Sequence, residues 1–123
     1  MHLKKDELTI LYNSQNARDR NTVTYARTVT SKINKQDINS VDVSATFFRL
    51  IFDKLGDVKK IINKSNPYYQ NTLKGSELAP KMWFMALKKR PELLKAPVAY
   101  YKDKIVICNT PTDILKIYST VQA

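Results

Sequence analysis

The residues best placed for chemistry lie in "LYNSQNARDRNT", residues 11–22, where an apolar run ends and a helical pattern begins. Residues 8–12 predict a strand, and the free N–H groups at the start of a following helix point at whatever lies in front of them. Arg18 and Arg20 add two guanidinium groups at this point, which favours a weak anion site. The alternative is that both side chains are solvated and that Arg20 packs its stem on a neighbour. The candidate anion-binding residues are Asn16, Ala17, Arg18, Arg20 and Asn21.

Nucleophiles and metal ligands are scarce in this chain. Cys108 is the only cysteine and His2 the only histidine, so the sequence predicts no disulfide, no metal site and no histidine-dependent triad. Ser14 therefore lacks a histidine base and is expected to cap a loop. Cys108 ends the apolar run "IVIC" in a predicted inner strand, where a buried thiol is inert. The alternative for Cys108 is a redox-active thiol. No cofactor is expected.

Composition favours one small domain, residues 1–123, with 43% hydrophobic residues and a net charge of +10. No apolar run is long enough to cross a bilayer, and the first residues lack a signal-peptide pattern, so a cytoplasmic location without membrane contact is expected. Lysine supplies 16 of the 21 basic residues. Because specific nucleic-acid readers rely on arginine, this charge favours a solvated surface over a nucleic-acid interface.

Hydrophobic spacing predicts the elements of the first half of the chain. A strand at Leu8 to Tyr12 precedes a helix from about Arg18 to Ile33, with Asp19 or Asn21 as caps. A second strand is expected in "KQDINSVDVS", with Ile38, Val41 and Val43 as its apolar positions. Ser44 or Thr46 then caps a helix that Gly56 ends, and its apolar face carries Phe47, Leu50, Ile51 and Leu55. A short helix starts at Asp57, and "NPYYQN" predicts a turn that places Tyr68 and Tyr69 against the core.

The second half predicts a long helix, a hairpin and a final helix. The long helix covers about Ser76 to Lys89, with Leu78, Met82, Met85 and Ala86 inward and Trp83 and Leu87 widening the apolar face. The hairpin arms are Val98 to Tyr101 and Ile105 to Cys108. Thr110 and Pro111 open the last helix, whose buried face is Ile114, Ile117, Tyr118 and Val121. The order β-α-β-α-α-α-β-β-α predicts an α/β, thioredoxin-like (glutaredoxin-type) fold: a mixed four-stranded sheet flanked by helices.

Two segments carry a family resemblance. "ILYNSQNARDRNT" and "KKRPELLKAPVAYYKDKIVICNTPTDIL" resemble the arsenate reductase family ArsC, whose relatives include the redox regulator Spx. The family pattern P-x-L-L-x-x-P-[IV] is matched by Pro91, Leu93, Leu94, Pro97 and Val98. The resemblance spans about residues 8–119 and implies a cis peptide bond at Pro97. It also implies chemistry in which a cysteine thiolate at the start of the first helix attacks an arsenate held by three arginines.

The sequence departs from that family at each chemical position. The position of the cysteine falls on Asn16 or Ala17, and the three arginine positions fall near Asn63, on Ala96 and on Asn109. The leading hypothesis is therefore a protein that has lost reductase chemistry and binds a protein partner or a small anion. The competing hypotheses are an arsenate reductase or glutaredoxin-like thiol oxidoreductase that uses Cys108, and a nucleic-acid-associated basic protein.

Overall fold

One mixed sheet of four strands organises the chain, and a computed structural model describes residues 6–117 of it. The strands are β1 (Leu8–Tyr12), β2 (Ile33–Asp37), β3 (Val98–Tyr101) and β4 (Lys104–Ile107), in the spatial order β2-β1-β3-β4. β1 pairs with β2 in parallel, whereas β3 is antiparallel to both β1 and β4. The predicted mixed four-stranded sheet is confirmed. None of the helices in residues 6–117 has the length and apolar content to span a membrane.

Helices cover both faces of the sheet. α1 is Ala17–Ala26, α2 is Ala45–Leu55 and α3 is Pro80–Lys89, and short helical turns lie at Val58–Ile61, Tyr69–Leu73, Pro91–Leu93 and Pro111–Ile114. One core lies between the sheet and the α2–α3 side, centred on Phe47, Ile51, Trp83 and Leu87. A second core joins the other face to α1 and the last turn, through Val23, Ala26, Cys108 and Ile114. The sheet is therefore buried on both faces, as a parallel β1–β2 pair requires.

The end of α1 and the position of β2 differ from the prediction. α1 ends at Ala26 rather than near Ile33, because Ile33 pairs with Leu8 as the first residue of β2. The segment from 28 to 30 is Thr-Val-Thr, whose β-branched side chains weaken helix formation. The second strand is therefore predicted too far along the chain: Ile38 and Val43 are buried in the loop that follows β2, and Val41 is exposed.

α2 forms where the sequence predicts it. Ser44 is its N-cap, and the Ser44 hydroxyl accepts a hydrogen bond from the Phe47 N–H at 3.0 Å. Gly56 ends the helix with a φ of 74°, a conformation that glycine adopts without steric cost. Phe47 and Ile51 are buried as expected, and the short helix after Asp57 is present as a 3-10 turn.

The segment "NPYYQN" and the inner face of α3 both differ from the prediction. Residues 67–73 continue as a helical turn rather than a simple loop, because the Asn66 side chain accepts the N–H of Tyr68 at 2.8 Å and starts the helix. Tyr69 is nevertheless buried against the core, as predicted. In α3 the inward prediction for Met82 and Met85 is wrong, since they are 51% and 53% exposed. Trp83 and Leu87 form the buried face instead, which follows from the larger apolar area of the indole ring.

The hairpin and the start of the last helix agree with the sequence. Lys102 and Asp103 form a two-residue turn with φ angles of 49° and 66°, and Tyr101 pairs with Lys104. β4 is an edge strand, so the prediction that the strand before Cys108 is an inner one is wrong. The Thr110 N–H donates to Asp113 Oδ2 at 3.0 Å, and Ile114 and Ile117 are buried as predicted. The predicted core positions Tyr118 and Val121, like His2, lie outside the described residues.

Candidate functional site

Asn16 lies at the start of α1, at the end of the short loop that follows β1. It is the N-cap residue, and its Oδ1 accepts hydrogen bonds from the N–H of Arg18 at 2.9 Å and of Asp19 at 3.2 Å. The prediction of Asp19 or Asn21 as cap is therefore wrong. An asparagine is among the best N-caps because its amide oxygen reaches the N2 and N3 donors. The carboxamide of Asn16 occupies the position in front of the helix where an anion would accept the same bonds.

Asp19 closes the same junction from inside. This carboxyl group is 1% exposed, and its Oδ2 accepts the N–H of Asn13 at 2.9 Å. Its Oδ1 has no hydrogen-bond partner within residues 6–117. Burial raises the pKa of Asp19, although the Asn13 N–H and the Arg18 charge oppose the shift. Asp19 is thus a buried acid placed directly behind the helix N-terminus.

Asp37 and Asn39 complete the network from the end of β2. Asp37 Oδ1 accepts the N–H of Ser14 at 3.1 Å and the side-chain amide of Asn39 at 2.9 Å. The Asn39 amide also donates to Asn13 Oδ1 at 2.8 Å. Burial raises the pKa of Asp37, but the hydrogen bonds from Ser14 and Asn39 outweigh burial, and the net shift is downward. Asp37 is therefore held as a carboxylate.

The backbone donors of this region are already used. We call residues 13–20 the β1–α1 junction. Seven of its eight backbone N–H groups donate to acceptors within the chain: two to the carboxylates of Asp19 and Asp37, three to side-chain amides and two to carbonyl oxygens. An added anion would have to displace these acceptors. Apart from the Ala17 N–H, the donors at the helix N-terminus are therefore occupied by groups that the chain itself supplies.

The two arginines of the junction point to backbone carbonyls. Arg18 Nη2 donates to Lys95 O at 2.7 Å, and Arg20 Nη1 donates to Ser14 O at 2.8 Å. Both side chains are exposed, and so are Ala17 and Asn21. The structure thus brings the five candidate residues to one end of α1: Asn16, Ala17, Arg18, Arg20 and Asn21. Both guanidinium groups donate hydrogen bonds to backbone carbonyls of neighbouring loops.

A shallow cleft of about 300 Å³ opens beside the junction. Its lining is Tyr12, Lys35, Gln36, Asp37, Ser40, Asp42 and Val43. Two carboxylates and one ammonium group give this lining a negative balance. Burial, followed by the charge of Asp37, raises the pKa of Tyr12, so the phenol stays neutral. The cleft therefore does not reinforce anion binding at the junction.

The three positions assigned to arginine by the resemblance carry two amides, Asn63 and Asn109, and one methyl group, Ala96. Arg18 contacts Lys95 O next to Ala96, which is fully buried, and the Lys95 N–H donates to Ile61 O at 2.7 Å. Asn63 lies two residues further on, where its side-chain oxygen accepts hydrogen bonds from Ser65. Asn109 is exposed and follows Cys108. Backbone hydrogen bonds link the segment of Asn63 to the residues just before Ala96, and none of the three positions carries a positive charge.

The predicted cis bond at Pro97 is wrong. No peptide bond within residues 6–117 is cis, so Ala96–Pro97 is trans. The trans isomer is the intrinsically preferred one for an X-Pro bond. Pro97 is buried at the start of β3, and its carbonyl accepts the Cys108 N–H at 2.8 Å, which extends the β3–β4 ladder by one residue.

Cys108 lies in the core on the α1 side of the sheet and is fully buried. Burial raises the pKa of its thiol to about 12, with smaller contributions from Asp113 and Asp19. A thiol with this pKa is protonated at neutral pH, and only thiolates act as nucleophiles. The predicted burial is confirmed. Within residues 6–117, no three His, Cys, Asp or Glu side chains are grouped as metal ligands.

Sequence reasoning missed Asp37 and Asn39. The signal for Asp37 was its place at the carboxyl end of a parallel strand, next to the end of β1, where polar groups of an α/β sheet converge. That signal was hidden because the second strand was predicted several residues too late. Asn39 acts over a separation of 26 residues from Asn13, which no local pattern reveals.

Comparison with solved structures identifies the fold class. The chain has the thioredoxin-like fold of arsenate reductases. An arsenate reductase from Vibrio cholerae superposes with a TM-score of 0.71 at 17% identity, covering 93% of this chain and 99% of that one. A possible arsenate reductase from Streptococcus mutans gives 0.56 at 20% identity, covering 82% and 88%. The YffB protein gives 0.64 at 12% identity, covering 94% and 99%.

At the level of sequence the likeness is weaker. No family model and no curated protein matches the chain. The structural neighbours therefore establish the fold, and the activity has to be argued from the site.

Proposed function

We propose that this chain is a binding protein on an arsenate-reductase-like scaffold and does not reduce arsenate. The observation that carries the proposal is the β1–α1 junction, where an amide replaces the nucleophile and the chain's own acceptors occupy the helix donors. A reductase of the resembling family needs a thiolate at this place and cations around it. Asn16 supplies no ionisable group, and Asn63, Ala96 and Asn109 supply no charge. We place the protein in the cytoplasm.

A protein partner fits the observations better than a small anion does. The two carboxylates Asp19 and Asp37 accept the backbone donors that an oxyanion would use. The guanidinium groups of Arg18 and Arg20 are engaged with carbonyls at 2.7 and 2.8 Å. The adjoining cleft has more acidic than basic groups in its lining. Each of these features opposes the binding of an added anion.

The reductase alternative rests on Cys108, and a direct assay tests it. Arsenate-dependent oxidation of NADPH, coupled through glutathione and glutaredoxin, is measured with the full chain and with Cys108→Ser. We expect both proteins to give the rate of the protein-free mixture, because the buried thiol is protonated. Activity in the unmodified chain that disappears in Cys108→Ser would refute the proposal.

The anion alternative has its own readout. Phosphate, sulfate and arsenate are each titrated to millimolar concentration while the amide NMR signals of residues 15–22 are followed. We expect no saturable shift in these signals, because seven of the eight N–H groups of the junction are already bonded, all except that of Ala17. A saturable shift that Arg18→Gln and Arg20→Gln weaken would show that an anion displaces the internal acceptors, and the site would then be an anion site.

A further inference from the structure

The outer edge of β4 is one of the two edges of the sheet, where backbone groups lack strand partners. β4 is the last strand in the order β2-β1-β3-β4, and no described residue pairs with its outer side. A row of unpaired N–H and C=O groups is a ready template for another extended chain. Soluble proteins normally protect such an edge from pairing with another chain. The β4 edge can therefore bind an extended chain only if it lacks this protection.

The register shows which residues face outward. The Cys108 N–H donates to Pro97 O at 2.8 Å, and Val106 lies opposite Ala99. Because bonded and non-bonded pairs alternate in an antiparallel ladder, Val106 and Lys104 bond inward to β3. Ile105 and Ile107 therefore direct their N–H and C=O groups away from the sheet. Two residues thus present four backbone groups for pairing.

The two edges of the sheet differ in protection. β2, at the opposite edge, carries the polar run Asn34 to Gln36, and the Gln36 side chain accepts the Ser44 N–H at 2.7 Å. β4 instead carries Ile105, Val106 and Ile107, all partly exposed, and Lys104 is its one charged residue. Charged or polar edge residues are a common device against unwanted pairing. By this measure β4 is the edge left open.

One face of α2 adjoins this edge. It carries a shallow, open depression of about 370 Å³, lined by Thr46, Arg49, Leu50, Asp53 and Lys54. The Lys54 ammonium lies 5.9 Å from the centroid of the Tyr100 ring, and Tyr100 pairs with Ile105. Leu50, Ile105 and Ile107 pack against the same core, so this face of α2 and β4 lie on one side of the sheet.

The charges around the edge favour an acidic partner. Lys54, Lys102 and Lys104 form no ion pair within residues 6–117. The nearby carboxylates are engaged, Asp53 with Arg49 and Asp103 with the Tyr100 hydroxyl at 2.8 Å. A second copy of this chain would bring another net charge of +10 to the same surface. Like charges oppose such self-pairing, and an acidic segment does not meet this repulsion.

We infer that the outer edge of β4 is a docking site for an extended, acidic segment of a partner protein. The segment adds a fifth strand by bonding to Ile105 and Ile107 and sets its carboxylates near Lys54, Lys102 and Lys104. Main-chain bonds give affinity in this mode, and the charges give selectivity. The inference rests on the proposed binding role and names the surface that serves it.

Hydrogen exchange with a defined probe tests the site. The full chain is mixed with the blocked peptide acetyl-EVTVTVE-amide, and with acetyl-KVTVTVK-amide as the charge control. Without peptide we expect fast amide exchange at Ile105 and Ile107 and slow exchange at Val106. The acidic peptide should slow Ile105 and Ile107 selectively. No protection at millimolar acidic peptide, or equal protection by the basic peptide, would overturn the inference.

Matched variants separate backbone pairing from side-chain contact. Ile107→Pro removes an outward N–H without touching a β3–β4 bond, and Ile107→Ala removes the same side chain but keeps the N–H. We expect Ile107→Pro to bind the acidic peptide about fivefold more weakly than Ile107→Ala, the effect of one hydrogen bond. Equal affinities in folded variants would refute strand pairing. If Ile107→Pro fails to fold, Lys104→Glu serves instead, and unchanged affinity there would refute the charge argument.

Two further outcomes have defined meanings. Protection of Ile105 and Ile107 that appears without peptide as protein concentration rises, with a doubled mass, would overturn the choice of partner in favour of a second copy. Failure of the peptide test leaves the absence of arsenate reduction intact, because that assay depends on the β1–α1 junction and Cys108. Success of the peptide test, conversely, is independent of the redox assay.

Discussion

The β1–α1 junction and the outer edge of β4 belong to the same sheet but use their backbone donors in opposite ways. The junction combines polar and charged residues in a pattern typical of a binding site, yet seven of its eight N–H groups are bonded within the chain. β4 is a short apolar strand without a notable motif, and the N–H groups of Ile105 and Ile107 face outward. Polar sequence therefore indicates where hydrogen bonds can form, and only topology shows where donors remain available.

This contrast also bears on the proposed loss of reductase chemistry, which would leave the fold intact. Asn16, Asp19 and Asp37 each accept backbone N–H groups, so one amide and two carboxylates hold the β1–α1 junction in place. Changes at the junction are expected to have larger effects than changes in the hairpin of β4.

The largest effect is expected when a thiol is returned to the junction. Asn16→Cys places a cysteine at the N-cap of α1, where the helix donors stabilise a thiolate. Cys108, with a pKa of about 12, is almost entirely protonated at pH 7. We expect the thiol introduced at position 16 to react at least about a thousandfold faster than Cys108 with a disulfide reagent under native conditions, given their thiolate fractions.

The matched control for this experiment is Asn16→Cys in a Cys108→Ser background, which should keep the fast phase and lose the slow one. Unmodified chain should show the slow phase alone until it is denatured. Fast reaction of Cys108 in the folded, unmodified chain would contradict both its burial and the comparison with the junction.

The second prediction removes an internal acceptor. Asp19→Ala leaves the buried Asn13 N–H without its partner, and an unsatisfied buried donor costs about 1–3 kcal/mol. The free energy of unfolding, measured with urea, should fall by that amount. Asp42→Ala is the control, because Asp42 is exposed and should change stability by less than about 0.5 kcal/mol. Equal losses in the two variants would mean that Asp19 does not hold the junction.

The third prediction uses the opposite pKa shifts of Asp19 and Asp37. The folded-state pKa of Asp19 is raised, so its contribution is most favourable below the unfolded value of 3.8 and declines as pH rises through the folded value. The folded-state pKa of Asp37 is lowered, so its contribution is present above 3.8 and is lost as pH falls through the folded value.

Substitution of each of these two aspartates by asparagine should reveal the opposite pH dependences of their contributions to stability. As pH rises from about 3 to 7, the stability of Asp19→Asn relative to the unmodified chain should increase, and that of Asp37→Asn should decrease. Urea unfolding at several pH values measures both differences. If the two stability differences changed in the same direction with pH, the opposite pKa shifts of Asp19 and Asp37 would be contradicted.

The sequence predicted this fold well but the site only in part. Alternating and helical apolar spacing located β1, α2 and the β3–β4 hairpin, because each of these elements buries a face set by local pattern. β2 was placed too late, since as an edge strand it is mostly polar and its register depends on pairing with Leu8. Met82 and Met85 were placed inward because periodicity alone does not rank them against Trp83 and Leu87.

The contacts of the site that the sequence did not predict share one physical cause. The partners of Asn13 and Ser14 come from residues six to 26 positions away, through Asp19, Asp37 and Asn39. The contacts with Asp37 and Asn39 depend on where β2 ends, and the sequence prediction places that strand too late. The open edge of β4 likewise depends on strand order, which a single hairpin pattern does not contain.

The smallest effect is expected in the turn that supports β4. Lys102 and Asp103 have positive φ angles, which favour asparagine or glycine in a two-residue hairpin turn. Lys102→Asn should raise the free energy of unfolding by about 0.5 kcal/mol by relieving the left-handed conformation. Lys102→Ala is the matched control, because it also loses the ammonium group 5.3 Å from the Tyr101 ring but gains no tolerance of positive φ. If the two variants were equally stable, the positive φ of Lys102 would store no strain in the turn.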